Sequence, residues 1–226
     1  IQGFSTGGEY GGAATFMAEY APDRKRGRLG SFLEFGTLAG FTLGAALALL
    51  TTLAVGEDNM ASWGWRLPFL VAAPLGLTGL YLRSKLEDTP VFREAAAEGN
   101  IDQKVKSHLR DLFKFWKPLL LLMGLVVTLN IANYTLLAYM PTYLESEIGL
   151  SSRASLILII IGQTAMMIVI PFSGALSDRL GRKTMWWISI IGLFVLAIPL
   201  FKLMGTGFGA AIIAFAVLGL LYVPQL

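Results

Sequence analysis

The sequence predicts an all-α fold, a polytopic membrane protein with about seven transmembrane helices, on three observations. Apolar residues make up 55% of the 226 residues and the mean hydropathy is +0.64, more than one soluble core of this size holds. The apolar residues form runs of about 20, the length with which an α-helix crosses ~30 Å of hydrocarbon. The basic residues lie in alternate gaps between these runs, which is typical of membrane topology.

The apolar runs lack the alternation of period two that barrel strands show, so each is predicted to be a helix. In chain order the seven predicted spans cover about residues 1–20, 29–54, 64–82, 118–144, 154–177, 184–204 and 207–226. The chain begins with Ile1, shows no signal peptide and ends inside an apolar run. We therefore interpret it as a fragment cut through helices at both ends.

The loops predict the orientation of the spans. Of the 18 Lys and Arg residues, 15 fall in residues 23–28, 83–117 and 178–183, which the positive-inside rule places in the cytoplasm. The first and the last span then both run inward. Trp63 and Trp65, at the outer end of the third span, are predicted to anchor the chain in the membrane interface.

Residues 83–117 form the long hydrophilic stretch of the sequence. We predict a cytoplasmic linker, with a short helix, a turn and a second helix along the membrane surface. This linker separates residues 1–82, with three spans, from residues 118–226, with four. His108 is predicted to be a solvated residue of the linker.

Several classes of function are excluded by composition. The chain has no Cys and one His, so a disulfide, a thiolate metal site and a histidine cluster are excluded, and we predict neither a metal nor a cofactor. No Ser-Lys or Asp-Asp pair stands at membrane depth, so an enzyme is not predicted. The net charge of +3 is explained by topology, with the lipid bilayer and not nucleic acid as the partner.

The loop GALSDRLGRK, residues 174–183, carries the most specific motif. It resembles the G-x-x-x-D-R-x-G-R-[RK] loop of the major facilitator superfamily, whose fold is two bundles of six helices. Small Gly174 permits close helix approach, and Asp178 can cap the N-terminus of the incoming helix. The resemblance implies a cytoplasmic gate formed by Gly174, Asp178, Arg179, Gly181, Arg182 and Lys183, and by Glu19 and Arg26 in E-x-x-P-x-x-x-R-G.

Other stretches narrow the resemblance: IQGFSTGGEYGGA, AEYAPDRKRGRLGSFLEFG, WGWRLPF, LEDTPVF and YMPTYL are similar to the metabolite:proton symporter family, and most closely to its proline/betaine transporters. The resemblance covers helices four to ten of twelve, with residues 1–82 ending the N-terminal bundle and 118–226 starting the C-terminal one. It implies proton-coupled symport of a small zwitterion by alternating access in the inner membrane of a bacterium. A symporter of dicarboxylates or other organic acids, and an uncoupled channel or receptor, stay as alternatives.

The second span carries Gly36, Gly40 and Gly44 without the Gly-Pro motif of antiporters in the superfamily, and by resemblance this favours symport. Their spacing of four residues predicts a ridge of small side chains at which two helices pack closely.

Glu9 is the first candidate for proton coupling. It lies about 11 residues, roughly 16 Å, from the cytoplasmic end of its span, near the bilayer midplane. An ionised carboxylate there costs ~2.5–3.5 kcal/mol, so we expect it to face a cavity and to exchange a proton. The alternative is a permanent pair that braces the bundle, with an arginine in helices that this sequence does not include. The neighbouring polar residues Gln2 and Tyr10 are assigned to substrate binding.

Glu34 is the second candidate for the proton. It lies in the cytoplasmic third of the second span and points away from the glycine ridge. With Ser31 it faces either the pore or the charged loop. The alternative is an ion pair with the basic residues of that loop, Arg24, Arg26 or Arg28.

The fourth span carries polar residues at helical spacing, Asn130, Asn133 and Tyr134. The asparagine amides can bind a carboxylate, and a tyrosine ring can hold a quaternary ammonium by ~0.5–2 kcal/mol. We therefore predict a zwitterion site here, with Gln163 of the fifth span as a further ligand. The alternative for all four is hydrogen bonding between helices.

Overall fold

In the computed structural model, residues 2–22, 24–85, 93 and 114–226 are described. The described part contains seven long helices in the order that the hydropathy pattern predicts. They are α1 (Gln2–Tyr20), α2 (Arg26–Val55), α3 (Arg66–Lys85), α4 (Trp116–Ser146), α5 (Ser152–Leu180), α6 (Arg182–Met204) and α7 (Phe208–Tyr222). A short 3₁₀ turn, Val223–Gln225, follows α7.

Six of these helices, α2 to α7, are long and apolar enough to cross a membrane. The prediction of a polytopic all-α membrane protein is therefore confirmed. Helix α1 has 19 residues but is less apolar, because glycines and Glu9 occupy its first half. Its transmembrane position stays a prediction.

Glycines end or separate several helices. Gly56 follows α2 with φ +84°, and Gly181 follows α5 with φ +88°. Residues that carry a Cβ rarely adopt this backbone conformation. At the start of α5 the Ser151 hydroxyl accepts a hydrogen bond from the backbone N–H of Ala154 at 3.3 Å. This N-cap begins the helix after the outer loop.

Helix α4 contains a π-helical segment, Tyr134–Tyr139, between two α-helical parts. The wider turn shifts the angular position of each side chain that follows it. The faces of α4 therefore cannot be read with a single period of 3.6 residues along its whole length.

The most extensive contact between helices joins α2 and α5, which lie on opposite sides of the linker in sequence. Helix α7 packs against α5 and α6, and α1 packs against α2. The buried core lies between α2, α4, α5 and α7, where the largest fully buried side chains include Leu38, Met140, Met166, Phe215 and Tyr222.

Helix α3 contacts α2 and buries none of its own residues against the described part of the chain. The predicted linker helices, with His108, fall mostly on residues 86–92 and 94–113, outside the described residues. The division into two bundles at residues 83–117 stays a prediction.

Candidate functional site

Glu34 is a buried carboxylate of α2, with 5% of its surface exposed. The hydroxyl of Tyr10, on α1, donates a hydrogen bond to its Oε1. Glu34 lies eight residues beyond the start of α2 at Arg26, about 12 Å along the helix axis. The positive-inside rule predicts that the start of α2 faces the cytoplasm, and the pair then lies in the cytoplasmic half of the bundle.

Among the described residues, no ion pair reaches Glu34, so the predicted alternative of a pair with Arg24, Arg26 or Arg28 is not observed there. Its hydrogen-bond partner is a neutral hydroxyl. Both Tyr10 and Glu34 line a cavity of about 310 Å³ between α1, α2, α5 and α6.

Glu9 is in a different environment. Its side chain is 71% exposed, and its Oε1 lies 3.5 Å from Nη1 of Arg83. Arg83 lies near the C-terminal end of α3, and its side chain is 73% exposed. Glu9 lines neither this cavity nor the groove described below. Within the described residues Glu9 thus lines neither cavity nor groove, and the arginine beside it is an exposed residue of α3. Its role in proton coupling stays a prediction.

Asn133 joins two helices. Its Nδ2 donates to the hydroxyl oxygen of Tyr222 on α7 at 2.8 Å, and Tyr222 is fully buried. Asn130 is exposed and its Nδ2 donates to its own helix, at Val126 O, 2.8 Å away. Tyr134 is 60% exposed. The predicted polar face is therefore divided, with Asn133 toward α7 and the other two residues on the open side of α4.

Gln163 is 1% exposed and links three helices. Its Oε1 accepts from the Thr42 hydroxyl of α2 at 3.2 Å, and its Nε2 lies 3.5 Å from Leu137 O of α4. It also lines a groove of about 570 Å³ between α2, α4 and α5. The protein itself thus uses part of the hydrogen-bonding capacity that we assigned to substrate. For Gln2, the side chain lies outside the described residues.

Gly40 and Gly44 line the same groove. An added Cβ at Gly36, Gly40 or Gly44 would meet no heavy atom within 4 Å in the described part of the chain. The close packing predicted at this ridge is therefore not observed there, because the described helices leave this face of α2 open.

Close packing occurs instead at Gly27 of α2 and Gly174 of α5. A Cβ added to Gly174 would lie 2.6 Å from Gly27 O, and one added to Gly27 would lie 2.7 Å from Gly174 O. The two backbones therefore touch where the helices cross. The close approach expected at Gly174 is present, and its partner is Gly27.

Asp178 caps the N-terminus of α2. Its Oδ1 accepts from the backbone N–H of Gly27 at 2.7 Å, and its Oδ2 accepts from that of Arg28 at 3.0 Å. The carboxylate thus satisfies two of the unpaired donors at a positive helix end. The sequence predicts that Asp178 caps the helix that follows it, α6, and this is wrong. The helix that Asp178 caps is α2, 150 residues away in sequence, and only the packing of α5 against α2 brings the two together.

The other predicted gate residues surround this contact. Arg179, Arg182 and Lys183 are exposed at the cytoplasmic ends of α5 and α6. Arg26 and Arg182 line the cavity below Glu34. Among the described residues, no ion pair joins Glu19 to Arg26. The gating role of the whole set stays a prediction.

Sequence reasoning missed Thr42, Tyr222 and Gln225. Each is a polar side chain inside a strongly apolar run, which is the signal that could have singled them out. Within the described ranges, no group of three His, Cys, Asp or Glu side chains lies close enough together to hold a metal ion.

Comparison with known proteins decides the family. The profile of the Major Facilitator Superfamily matches residues 1–225. The chain belongs to the major facilitator superfamily. The family resemblance predicted from the loop at residues 174–183 is thereby confirmed, and this superfamily member is a multi-pass protein of the cell membrane.

Curated relatives in this superfamily are named as transporters, not enzymes. The chain is 46% identical over 212 residues to the proline/betaine transporter of Escherichia coli (strain K12), covering 91% of this chain and 42% of the relative. It is 45% identical over 233 residues to the glycine betaine/proline/ectoine/pipecolic acid transporter of Dickeya dadantii, covering 97% and 44%. The ectoine/proline transporter of Corynebacterium glutamicum is 39% identical over 233 residues, covering 97% and 46%.

The chain therefore spans less than half the length of these relatives. No solved structure matches it significantly.

Proposed function

We propose that this chain serves in a secondary active transporter that carries a small zwitterionic compatible solute, such as proline or glycine betaine, together with a proton. The observation that carries the coupling proposal is the environment of Glu34. This carboxylate is buried, its hydrogen-bond donor is the neutral hydroxyl of Tyr10, and both residues line a cavity. The names of the relatives support the transport of proline, betaine and ectoine.

Glu34 is the proton carrier in this proposal, in preference to Glu9. A charge at membrane depth is costly unless it is paired, and Glu34 lacks an ion-pair partner within the described residues. Taking up a proton removes that cost. Glu9, in contrast, is exposed, lies 3.5 Å from the guanidinium of Arg83 and does not line the cavity.

Alternating access is supported by the contact between α2 and α5. These helices belong to the two groups of spans on either side of the predicted linker, and they touch at Gly27 and Gly174 under the Asp178 cap. If the groups rock against each other, this contact opens and closes the cytoplasmic side.

The solute is assigned to Asn130, Asn133 and Tyr134, with Gln2, Tyr10 and Gln163 as further ligands. Tyr134 and Asn130 lie on the open side of α4, where they are accessible to a ligand. A tyrosine ring and an amide together suit a cationic nitrogen and a carboxylate in one molecule. A dicarboxylate has no cationic nitrogen and would call for added cations at this depth.

Uptake of labelled proline by the natural full-length protein in proteoliposomes tests the proposal. We expect an inwardly directed proton gradient to drive proline accumulation. Glu34→Gln should abolish this accumulation but leave the exchange of proline across the membrane intact. Asp58→Asn, at an exposed acidic residue between α2 and α3, is the control. Accumulation that ignores the gradient contradicts symport. Loss of coupling in Glu9→Gln but not in Glu34→Gln would instead assign the proton to Glu9.

A further inference from the structure

Helices α2 and α5 run antiparallel, and polar contacts join them near the predicted cytoplasmic end and in the middle. At the cytoplasmic end the Asp178 carboxylate accepts from the backbone N–H of Gly27 at 2.7 Å. In the middle the Thr42 hydroxyl donates to Gln163 Oε1 at 3.2 Å. Helix α2 continues for about 13 residues, roughly 20 Å, beyond Thr42 to Val55. The predicted outer ends of the two helices therefore lie well away from both contacts.

An ion pair joins the chain at these outer ends. Arg153, the second residue of α5, has its Nε 3.4 Å from Oε1 of Glu57, which directly follows the glycine that ends α2. Glu57 belongs to the first group of spans and Arg153 to the second. The ion pair between Glu9 and Arg83, in contrast, lies within the first group. The contact between Glu57 and Arg153 thus bridges the two groups.

The bridging pair lies on the outer side of the groove between α2, α4 and α5, which Gln163 lines. On α2 the lining ends at Ala48, about 9 residues and roughly 14 Å before Glu57. On α5 the lining begins at Leu156, about 3 residues and roughly 5 Å after Arg153. A solute that enters the groove from the predicted outer side must therefore pass the ends of the chain that this pair joins.

Both charged side chains keep contact with water, since Arg153 is 50% exposed and Glu57 is 57% exposed. Separating the pair leaves no buried charge without a partner, so the pair can break at little cost. An exposed ion pair shifts an equilibrium by up to about fivefold. This strength suits a contact that must form and break in every transport cycle.

We propose that Glu57 and Arg153 form an outer gate, which closes the groove when the two groups of spans meet on the outer side and separates when solute enters. The inference rests on the proposed transport function. The ion pair and the cap at Gly27 are formed in the same structure, at opposite ends of one pair of helices. Opening the outer side breaks the ion pair, and opening the cytoplasmic side breaks the cap that Asp178 provides.

Labelling of the full-length protein from the outside tests the outer gate. Ala48→Cys, in a background without other cysteines, places a thiol in the groove, and the rate at which a membrane-impermeant maleimide labels it is measured in right-side-out vesicles. In Glu57→Gln and in Arg153→Gln we expect labelling about threefold faster, because the closed outer side loses its ion pair. The charge exchange that combines Glu57→Arg with Arg153→Glu should restore a rate close to that of the wild type.

Asp58→Asn is the matched control. Asp58 is an exposed acidic residue next to Glu57, so its substitution removes the same charge from the same segment and leaves the ion pair in place. We expect its labelling rate to equal that of the wild type. Thermal unfolding in detergent shows that each variant is folded.

The half-saturating proline concentration at the outer face is the second measurement. If the open outer state becomes about threefold more populated, this concentration should fall by a similar factor in Glu57→Gln and in Arg153→Gln. Faster labelling with an unchanged half-saturating concentration overturns the outer gate, because the solute then does not enter past the pair.

Wild-type labelling rates in both single variants also overturn the outer gate. So does equally fast labelling in the charge-exchanged variant or in Asp58→Asn, because the effect then comes from the segment and not from the ion pair. Failure of the transport proposal is distinct. It appears in the wild type as proline uptake that is absent or insensitive to the pH gradient, whereas labelling requires neither solute nor gradient.

Discussion

Asp178, at the cytoplasmic end of α5, accepts a hydrogen bond from the backbone N–H of Gly27, at the start of α2, with 2.7 Å between the two atoms. The same carboxylate binds the N–H of Arg28 at 3.0 Å. One side chain thus joins helices from the two groups of spans at the point where their backbones touch. Single substitutions of Asp178 can therefore test whether this contact keeps the cytoplasmic side of the transporter closed.

We predict that Asp178→Asn weakens this contact by about 1 kcal/mol, because the cap loses its charge and one of two acceptor oxygens. The cytoplasmic side should then be open about fivefold more often. The measurement is the rate at which a membrane-impermeant maleimide labels a cysteine placed at Ser173, which lines the cavity beside Glu34, in a background without other cysteines.

Asp58→Asn, in the outer loop, is the control for this charge removal and should leave the labelling rate unchanged. An unchanged rate in Asp178→Asn as well would show that the cap does not hold the cytoplasmic side closed.

We predict that Gly174→Ala lowers the thermal stability of the protein, because its new methyl group would lie 2.6 Å from Gly27 O and the helices must separate. Overpacking of this kind costs about 1–3 kcal/mol. Gly40→Ala is the matched control on α2, where nothing in the described part lies within 4 Å, and it should be neutral or stabilising by up to about 1 kcal/mol. Thermal unfolding in detergent measures the stability of both variants. If Gly40→Ala lowers the stability as much as Gly174→Ala does, helices pack closely at the glycine ridge after all.

We predict that Tyr10→Phe impairs uptake driven by a pH gradient and lowers thermal stability, because the buried Glu34 carboxylate loses its hydrogen-bond donor. The expected cost is about 1–3 kcal/mol. Tyr20→Phe is the control on the same helix, since Tyr20 is 46% exposed and packs only its ring on Phe16. Equal behaviour of the two variants in proteoliposome uptake and thermal unfolding would exclude a special role for the Tyr10 hydroxyl.

We predict that Asn133→Ala and Tyr222→Phe are coupled by about 1 kcal/mol in thermal stability, because they remove the two ends of one hydrogen bond of 2.8 Å. Asn130→Ala is the control, since Asn130 bonds to its own helix, and its effect should add to that of Tyr222→Phe. Additive effects of Asn133→Ala and Tyr222→Phe contradict the link. A loss of solute affinity in Asn133→Ala that Tyr222→Phe does not share would then support direct binding of the solute by Asn133.

Much of the architecture was predictable from the sequence. The seven helices lie close to their predicted ranges, because hydropathy over about 20 residues is a local property of the chain. The superfamily was predictable from the loop at residues 174–183, since its glycine, charges and spacing stand together in a short stretch. These features depend on neighbours in sequence alone.

The different environments of Glu9 and Glu34 were not predictable in this way. Both are isolated carboxylates in apolar helices, and depth along the helix favoured Glu9. The structure instead buries Glu34 against Tyr10 and leaves Glu9 exposed beside Arg83. The rotation of each helix about its own axis decides this, and that rotation depends on which helices pack against it.

By itself the sequence determined that this chain is a helical membrane protein of the major facilitator superfamily, and the position of each span to within a few residues. The tertiary structure alone decided that Asp178 caps α2, that Gly27 meets Gly174, and that Gly36, Gly40 and Gly44 meet no described neighbour. The physical reason is the distance along the sequence over which each kind of interaction acts. Hydropathy acts within one helix, whereas hydrogen bonds and backbone contacts join residues up to 151 positions apart, so their partners exist only once the helices have packed.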